Sequence, residues 1–361
     1  MKYSIFASLA LVLAAAIAAV SGPSNRDALH VLAPITYGNL TIFPVVGGVD
    51  YDTSRFLTLD EGVRSGTVLV TEQGVLQGLV RGGAPIRNSS AEVNRLVLVN
   101  NSDRPLLLLA GEIVTGGKQD RVIGSDRLVP PKSDPIDLSV FCVEPGRWVG
   151  QSEQFGSMKS QMAQPSVRMP AMAQQNQQEV WNQVAAARKA ATDLAGTPMV
   201  QAETSSYAKT MAAPPVQEKI DSVAGNYESI LHELRKTGAK GVVVAVNGNI
   251  VWADLFASND LLSRYWEKLV RSYAAESLTN ASSKGQADQK SAQAFLDHLS
   301  GNHEVIETDP GVFRRAEISG NGYKVFELTA LTPKTDFDVH IAKMTCSREV
   351  SQRLRPYDLM R

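Results

Sequence analysis

From Asn39 to about Trp148 the chain consists of short β-branched or leucine-rich runs, such as Thr67 to Val70, Arg95 to Val99 and Leu106 to Leu109, each ended by turn residues. No long helical period interrupts them. Runs of this kind form strands, and a strand buries its apolar face only by packing on a second layer. The pattern predicts a twisted antiparallel sheet or sandwich over residues 23–149. Asn100-Asn101-Ser102-Asp103, ahead of Arg104-Pro105, reads as a hairpin turn between two of these strands.

Between Gly150 and Pro215 the composition shifts to Gln, Met, Ala, Ser and Pro, with Gln174, Gln175, Gln177 and Gln178 nearly consecutive. Such a stretch cannot all be core. Val180, Trp181, Val184, Ala187, Ala191 and Leu194 recur in it at helical spacing, so residues 150–215 are expected as a linker or lid carrying one docked helix. Residues 216–361 then change character. Ile220, Val223, Tyr227, Ile230, Leu231 and Leu234 form one helical stripe that stops at Gly238. Val242–Val246, Asn247-Gly248 and Asn249–Asp254 give a strong two-residue hairpin signal, and Gly320-Asn321-Gly322 suggests another. Between them Ser258 can cap a helix carrying Leu261, Leu262, Tyr265, Trp266, Leu269, Val270 and Tyr273, a stripe read as core rather than a cofactor box, and a short helix precedes Gly301. The fold class is therefore α+β: a β-rich amino-terminal sheet or sandwich followed by an α/β part with antiparallel hairpins, with residues 23–361 able to form one composite domain.

The first 22 residues carry a different signal. Lys2 precedes an apolar run from Ile5 to Val20 broken only by Ser8, and small residues lead to Pro23. That is the order of a secretory signal peptide. The run is slightly short for a span and no stop-transfer cluster follows it, so an exported protein, periplasmic or extracellular, without a stable span after cleavage is the expectation. No cysteine marks a lipoprotein site. The net charge of -1 and the absence of a basic cluster argue against a nucleic-acid surface. Cys142 and Cys346, the two cysteines, can pair in an oxidising compartment or stay as buried thiols.

The densest polar stretch is Gly111-Glu112-Ile113-Val114-Thr115-Gly116-Gly117-Lys118-Gln119-Asp120-Arg121, with Asp126 soon after. Strand alternation separates Lys118 and Asp120 from Gln119 and Arg121 unless Gly116-Gly117 makes a bulge or turn. Two readings stand. One is a rim of structural ion pairs. The other is a ligand cradle: Gly116, Gly117, Lys118, Gln119 and Arg121 around an anionic or sugar-like ligand, with Glu112 or Asp120 as acid or base. It is not a P-loop, since five residues separate Gly111 from Gly117 and Gln119 stands where Ser or Thr would hold magnesium. No zinc-site or Gly-x-Ser-x-Gly spacing occurs, so no metal and no particular cofactor is indicated. Glu144, Arg147 and Trp148 form a second polar group, where Arg147 and Trp148 can stack on a ring or cover the sheet edge.

At these two stretches, Leu109-Ala110-Gly111-Glu112 through Arg121 and Phe141 through Trp148, the sequence resembles the uncharacterised ADP-ribosylglycohydrolase and rhodanese-phosphatase-associated protein domain family. Asn39–Val45, Leu57–Glu72, Gln178–Trp181 and Gly241–Asp254 extend the resemblance over most of the chain. It implies a link to ADP-ribose or nucleotide metabolism and adds weight to Glu112, Lys118, Gln119, Asp120 and Arg121 as site residues. Two functions follow as expectations. The first is binding or processing of a nucleotide or sugar-phosphate ligand, and the second is a non-enzymatic envelope protein that presents a partner surface.

Overall fold

The computed structural model describes residues 29–72, 94–147, 149–197, 200, 203–225, 227–279 and 287–346. The expected signal peptide lies outside the described residues. The chain order is β1 (Leu29–Val31), β2 (Ile35–Tyr37), β3 (Leu40–Gly47), β4 (Leu57–Thr58), α1 (Leu59–Arg64), β5 (Val68–Glu72), β6 (Arg95–Asn100), β7 (Leu106–Leu108), β8 (Glu112–Thr115), β9 (Arg121–Ile123), β10 (Arg127–Val129), β11 (Ile136–Cys142) and β12 (Gly156–Met162). Then come α2 (Pro165–Met169), a π turn over Pro170–Gln174, α3 (Gln177–Leu194), α4 (Tyr207–Ala212), α5 (Pro214–Ala224) and α6 (Tyr227–Thr237). The remainder is β13 (Gly241–Val246), β14 (Asn249–Phe256), α7 (Asn259–Thr279), α8 (Gln289–Asp297), β15 (Asn302–Asp309), β16 (Phe313–Gly320), β17 (Tyr323–Ala330) and β18 (Phe337–Thr345).

The class is α+β. Six amino-terminal strands form a sheet in the order β12-β8-β9-β11-β6-β5, and β10-β7-β4 make a second, smaller one. Leu96, Leu98, Val114, Ile123 and Val140 from the first meet Leu57, Leu106, Leu108 and Val129 from the second in one apolar cluster. The first three strands do not join them. β3 lies between β1 and β13 in a nine-stranded sheet, ordered β1-β3-β13-β14-β18-β17-β16-β15 with β2 also on β3. Early and late segments thus share a single ladder, Gly241 opposite Val45 and Val246 opposite Leu40.

Local chemistry sets the connections. Asn247 and Gly248 have φ of 52° and 72°, as a tight β13–β14 hairpin requires. The β16–β17 turn over Asn321-Gly322 likewise puts Gly322 at φ 81°. The Asn100–Asp103 turn, however, is not a hairpin. β6 pairs with β5 and β11 whereas β7 pairs with β10 and β4, so the chain changes sheet there. Asn100 holds the crossover, its Nδ2 donating to the carbonyls of Arg104 and Pro130 at 2.9 Å each. The stripe from Ile220 to Leu234 is two helices, because Gly225 at φ 61° breaks it and sits where a Cβ would lie 2.8 Å from the Tyr37 ring.

Residues 150–215 hold more order than one helix. They supply β12 in a ladder with β8, then α2, the π turn, α3 and α4. Val167, Val180, Val184, Ala187, Ala191 and Tyr207 are buried in the main core, Gln164 is buried beside Glu276, and Gln177 bonds the backbone of Cys142 on β11. That core is closed by α7, whose Leu261, Leu262, Tyr265, Trp266, Leu269, Val270 and Tyr273 are all buried against the large sheet. Ser258 Oγ accepts from Leu261 N at 3.0 Å and starts this helix. Burying each large apolar side chain contributes about 1.5–3 kcal/mol, so the stripe fixes α7 firmly. The other face of the sheet is covered in part by α8 through Ala292 and Leu296.

Candidate functional site

Gly116 and Gly117, at φ 127° and 47°, turn the chain from β8 to β9, so the residues after them are not bound by strand alternation. The turn is closed on itself. Gly116 N donates to Asp120 Oδ1 at 3.2 Å, Gly117 N to Ser152 Oγ at 3.2 Å and Lys118 N to Glu72 Oε1 at 2.9 Å. Asp120 N donates to Glu144 Oε2 at 3.0 Å, and Gln119 Nε2 to the Glu144 carbonyl at 3.1 Å. The amides expected to cradle an anion are therefore satisfied by the protein's own oxygens. A Cβ on Gly117 would lie 2.3 Å from Phe155 Cζ. We expect Gly117→Ala to cost about 1–3 kcal/mol in a denaturant titration, and an unchanged midpoint would show that the turn readily relaxes.

Arg147 binds this turn from outside. One of its nitrogens donates to the Gly117 and Val149 carbonyls at 3.0 and 2.7 Å, while the other lies 2.5 Å from Glu144 Oε2 and 3.6 Å from Asp120 Oδ1. Asp120 Oδ2 accepts from Ser206 Oγ at 2.6 Å, which ties the turn to α4. Arg121, fully buried, lies 4.0 Å from Glu72. Burial raises the pKa of Asp120 against the Ser206 hydrogen bond. Burial would raise Glu144 too, but hydrogen bonds from Arg147 and Asp120 N leave it lowered.

Glu112 belongs elsewhere. Its Oε1 lies 2.7 Å from Lys268 Nζ on α7, which also lies 2.8 Å from Asp60 Oδ2 on α1, and its Oε2 accepts from Leu109 N at 2.8 Å. Burial is the main reason its pKa is raised. Glu112 and Asp120, either of them expected as the acid or base of one shared site, stand in separate ion-pair networks with no common partner among the described residues. Trp148 lies outside the described residues. Cys142, in the six-stranded sheet, and Cys346, after the last strand of the large sheet, are separate free thiols, both buried, and the disulfide expectation gives way. Burial raises the pKa of each, Cys346 to about 11, so neither is poised as a thiolate.

Behind the Leu109–Glu112 corner lies a buried network of a different kind. His340 on β18 has Nδ1 2.6 Å from Asp126 Oδ2 and Nε2 3.1 Å from Asp254 Oδ1. Arg168 on α2 grips Asp254 with two bonds of 3.0 Å and stacks on Trp252 at 4.4 Å. Tyr273 donates to the same carboxylate. Asp126 Oδ1 accepts from Ala110 N at 2.7 Å. Gly111, at φ 96°, lets the corner pass so close that a Cβ would sit 2.6 Å from Arg168 Cγ.

Asp126 is the end of this network that meets a shallow crevice of about 10 Å³, room for a single water, shared with Gln175, Ile306, Arg315 and Glu327. Gln175 closes the π turn in the left-handed region at φ 47°. Ile306 sits at a register shift in the β15–β16 ladder. π turns, left-handed non-glycine residues and bulges collect at functional sites because each re-aims a side chain at some cost. Arg315 is 3.3 Å from Glu307 Oε2 and contributes the cation. The cleft can present carboxylate oxygens to hydroxyl donors and a guanidinium to an anion. Among the described residues no group of three or more His, Cys, Asp or Glu is arranged to hold a metal.

Of this site the sequence reading named only Asp126. His340 and Asp254 carried a usable signal, a charged or titratable residue interrupting the apolar strands Phe337–Thr345 and Asn249–Phe256. Arg168 and Gln175 had none, lying in the Gln/Met-rich stretch.

Fold and site together define an α+β protein with a buried Asp-His-Asp-Arg chain ending at a small crevice lined by both polar and apolar residues. The chain belongs to the ARG and Rhodanese-Phosphatase-superfamily-associated Protein domain family, whose model matches residues 28–341. No curated protein and no solved structure matches it.

Proposed function

We propose that this protein binds, outside the cytoplasm, a small ligand carrying both hydroxyls and an anionic group, of the sugar-phosphate or ADP-ribose class. The observation that carries the reading is Asp126, fixed by His340 and Ala110 N at the floor of a cleft that Arg315 also lines. A carboxylate with both oxygens pinned orients sugar hydroxyls, and a guanidinium forks onto phosphate. The ADP-ribose class is taken from the resemblance of the two polar stretches, and the apolar run at residues 5–20 after Lys2 supports export.

Thermal unfolding against ADP-ribose, NAD, nucleotides and sugar phosphates tests it. A ligand at a hundred times its Kd stabilises by about 2.7 kcal/mol. The expected result is a raised midpoint that Asp126→Asn and Arg315→Gln each abolish while Gly117→Ala retains it. A shift that persists in both cleft variants places the site elsewhere, and no shift with any ligand refutes the reading. A second reading then gains ground. Strand β15 is the edge of the large sheet and exposes Val305 and Ile306, which suits a partner that adds a strand.

A further inference from the structure

A second cleft lies on the opposite face of the nine-stranded sheet from the main core. It holds about 500 Å³ between β14, β17 and β18 on one side and β1 and α8 on the other. That is the size of small-molecule sites, which combine an apolar lining with a few placed polar groups. The lining fits. Leu29, Leu255, Leu299, Val325 and Ile341 supply the apolar surface, and one residue among them carries a buried charge, Lys343.

Strand alternation aims Lys343 there. Ile341 and Lys343 share one face of β18, while His340, Ala342 and Met344 turn to the main core. The ammonium donates to the carbonyls of Phe295 and His298, and its Nζ lies 4.6 and 4.3 Å from the ring centres of Phe295 and Tyr323. An ammonium has three N–H donors, so one is left without a hydrogen-bond partner among the described residues. No described carboxylate pairs with it. Asp297 lines the cleft but is exposed and accepts from Gln293 Nε2 at 2.8 Å, and His30 is also exposed. Burial lowers the Lys343 pKa to about 8, which still leaves the amine mostly charged at neutral pH. Asp297, exposed in the cleft lining, acts on the ammonium through its charge and not through a hydrogen bond; a buried charge so weakly countered is costly, and an anion arriving with its own apolar body relieves that cost.

We infer that this cleft binds a small amphiphilic carboxylate, its apolar body on Leu255, Leu299, Val325 and Ile341 and its carboxylate on the Lys343 ammonium. The site is independent of the Asp126 cleft, which opens on other residues. Lys343 is a specificity residue here, selecting acids over neutral amphiphiles of the same length.

Titration calorimetry with decanoate and decanol on the full chain tests this. The wild-type protein is expected to bind decanoate about tenfold or more tightly than decanol, as one charge-assisted hydrogen bond allows. Lys343→Met should erase that preference, and Leu299→Trp, which fills the cleft, should weaken both ligands. Should Lys343→Met fail to fold, the wild-type preference for decanoate and the weakening of both ligands in Leu299→Trp decide the matter. Absence of decanoate binding, a preference that survives Lys343→Met, or binding unaffected by Leu299→Trp would each overturn the proposal.

Discussion

Asp254→Ala is expected to cost the fold about 3–5 kcal/mol, the range found when one member of a buried ion pair is removed. Asp254 is fully buried and receives both nitrogens of Arg168, the imidazole of His340 and the Tyr273 hydroxyl. Deleting it leaves a guanidinium, itself fully buried, over Trp252 with no anion to meet. Domains are stable by only about 5–15 kcal/mol, so the variant should populate unfolded forms at temperatures the parent tolerates. Urea titration reads this directly. A loss under about 1 kcal/mol would mean that the surrounding structure admits water to the orphaned charges. Asp254→Asn keeps oxygen and shape and should fall between the two.

The same network should give the protein an alkaline limit. Burial alone would lower the His340 pKa, but the carboxylates of Asp126 and Asp254 outweigh it and hold the ring at about 9. In the unfolded chain a histidine titrates near 6.5. A folded pKa above the unfolded one means that folding takes up a proton. The stabilisation is therefore complete below about pH 6.5 and is lost as pH rises through 9, in total about 3 kcal/mol. Asp254 works at the other end. Its carboxyl is held below the usual carboxylate range by Arg168 and His340 despite burial, so its share is present above about pH 4 and lost as pH falls. Lys343, lowered to about 8, opposes the His340 trend in alkali because its deprotonation favours the folded state. Comparing wild type with His340→Gln at pH 6, 7.5 and 9.5 isolates the imidazole. Parallel profiles for the two proteins would show that the pKa of the ring does not change on folding.

Patterns set by neighbours in sequence were legible: the Asn247-Gly248 hairpin, the Ser258 cap, the α7 stripe and the break at Gly238, now seen at φ 68°. Each depends on dihedral or side-chain preferences acting within a few residues. The Asn100 crossover was misread because an Asn-rich turn looks the same whether the next strand pairs with the last one or leaves for another sheet. The polar stretch around Gly116 stands out in the sequence, yet its hydrogen bonds close on Glu144, Ser152, Glu72 and Ser206, residues 24 to 86 positions away. Nothing in a local pattern tells whether a polar group will meet a ligand or a distant side chain. Asp126 and His340 are 214 residues apart, so the network that organises the candidate site is a property of the topology.

The placing of β3 in the large sheet bears on when this protein can fold. Its partner strand β13 begins at Gly241, and β18 completes the neighbouring ladders only at Thr345. Loop-closure entropy must be met before such remote pairings give anything back, which slows folding. A nascent chain therefore carries Leu40–Gly47 without its β13 partner until Val246, about two thirds of the way along the 361 residues, has been made. The nine-stranded sheet is therefore the last layer to close, whereas the six-stranded sheet has every strand in hand by Met162 and can form without it.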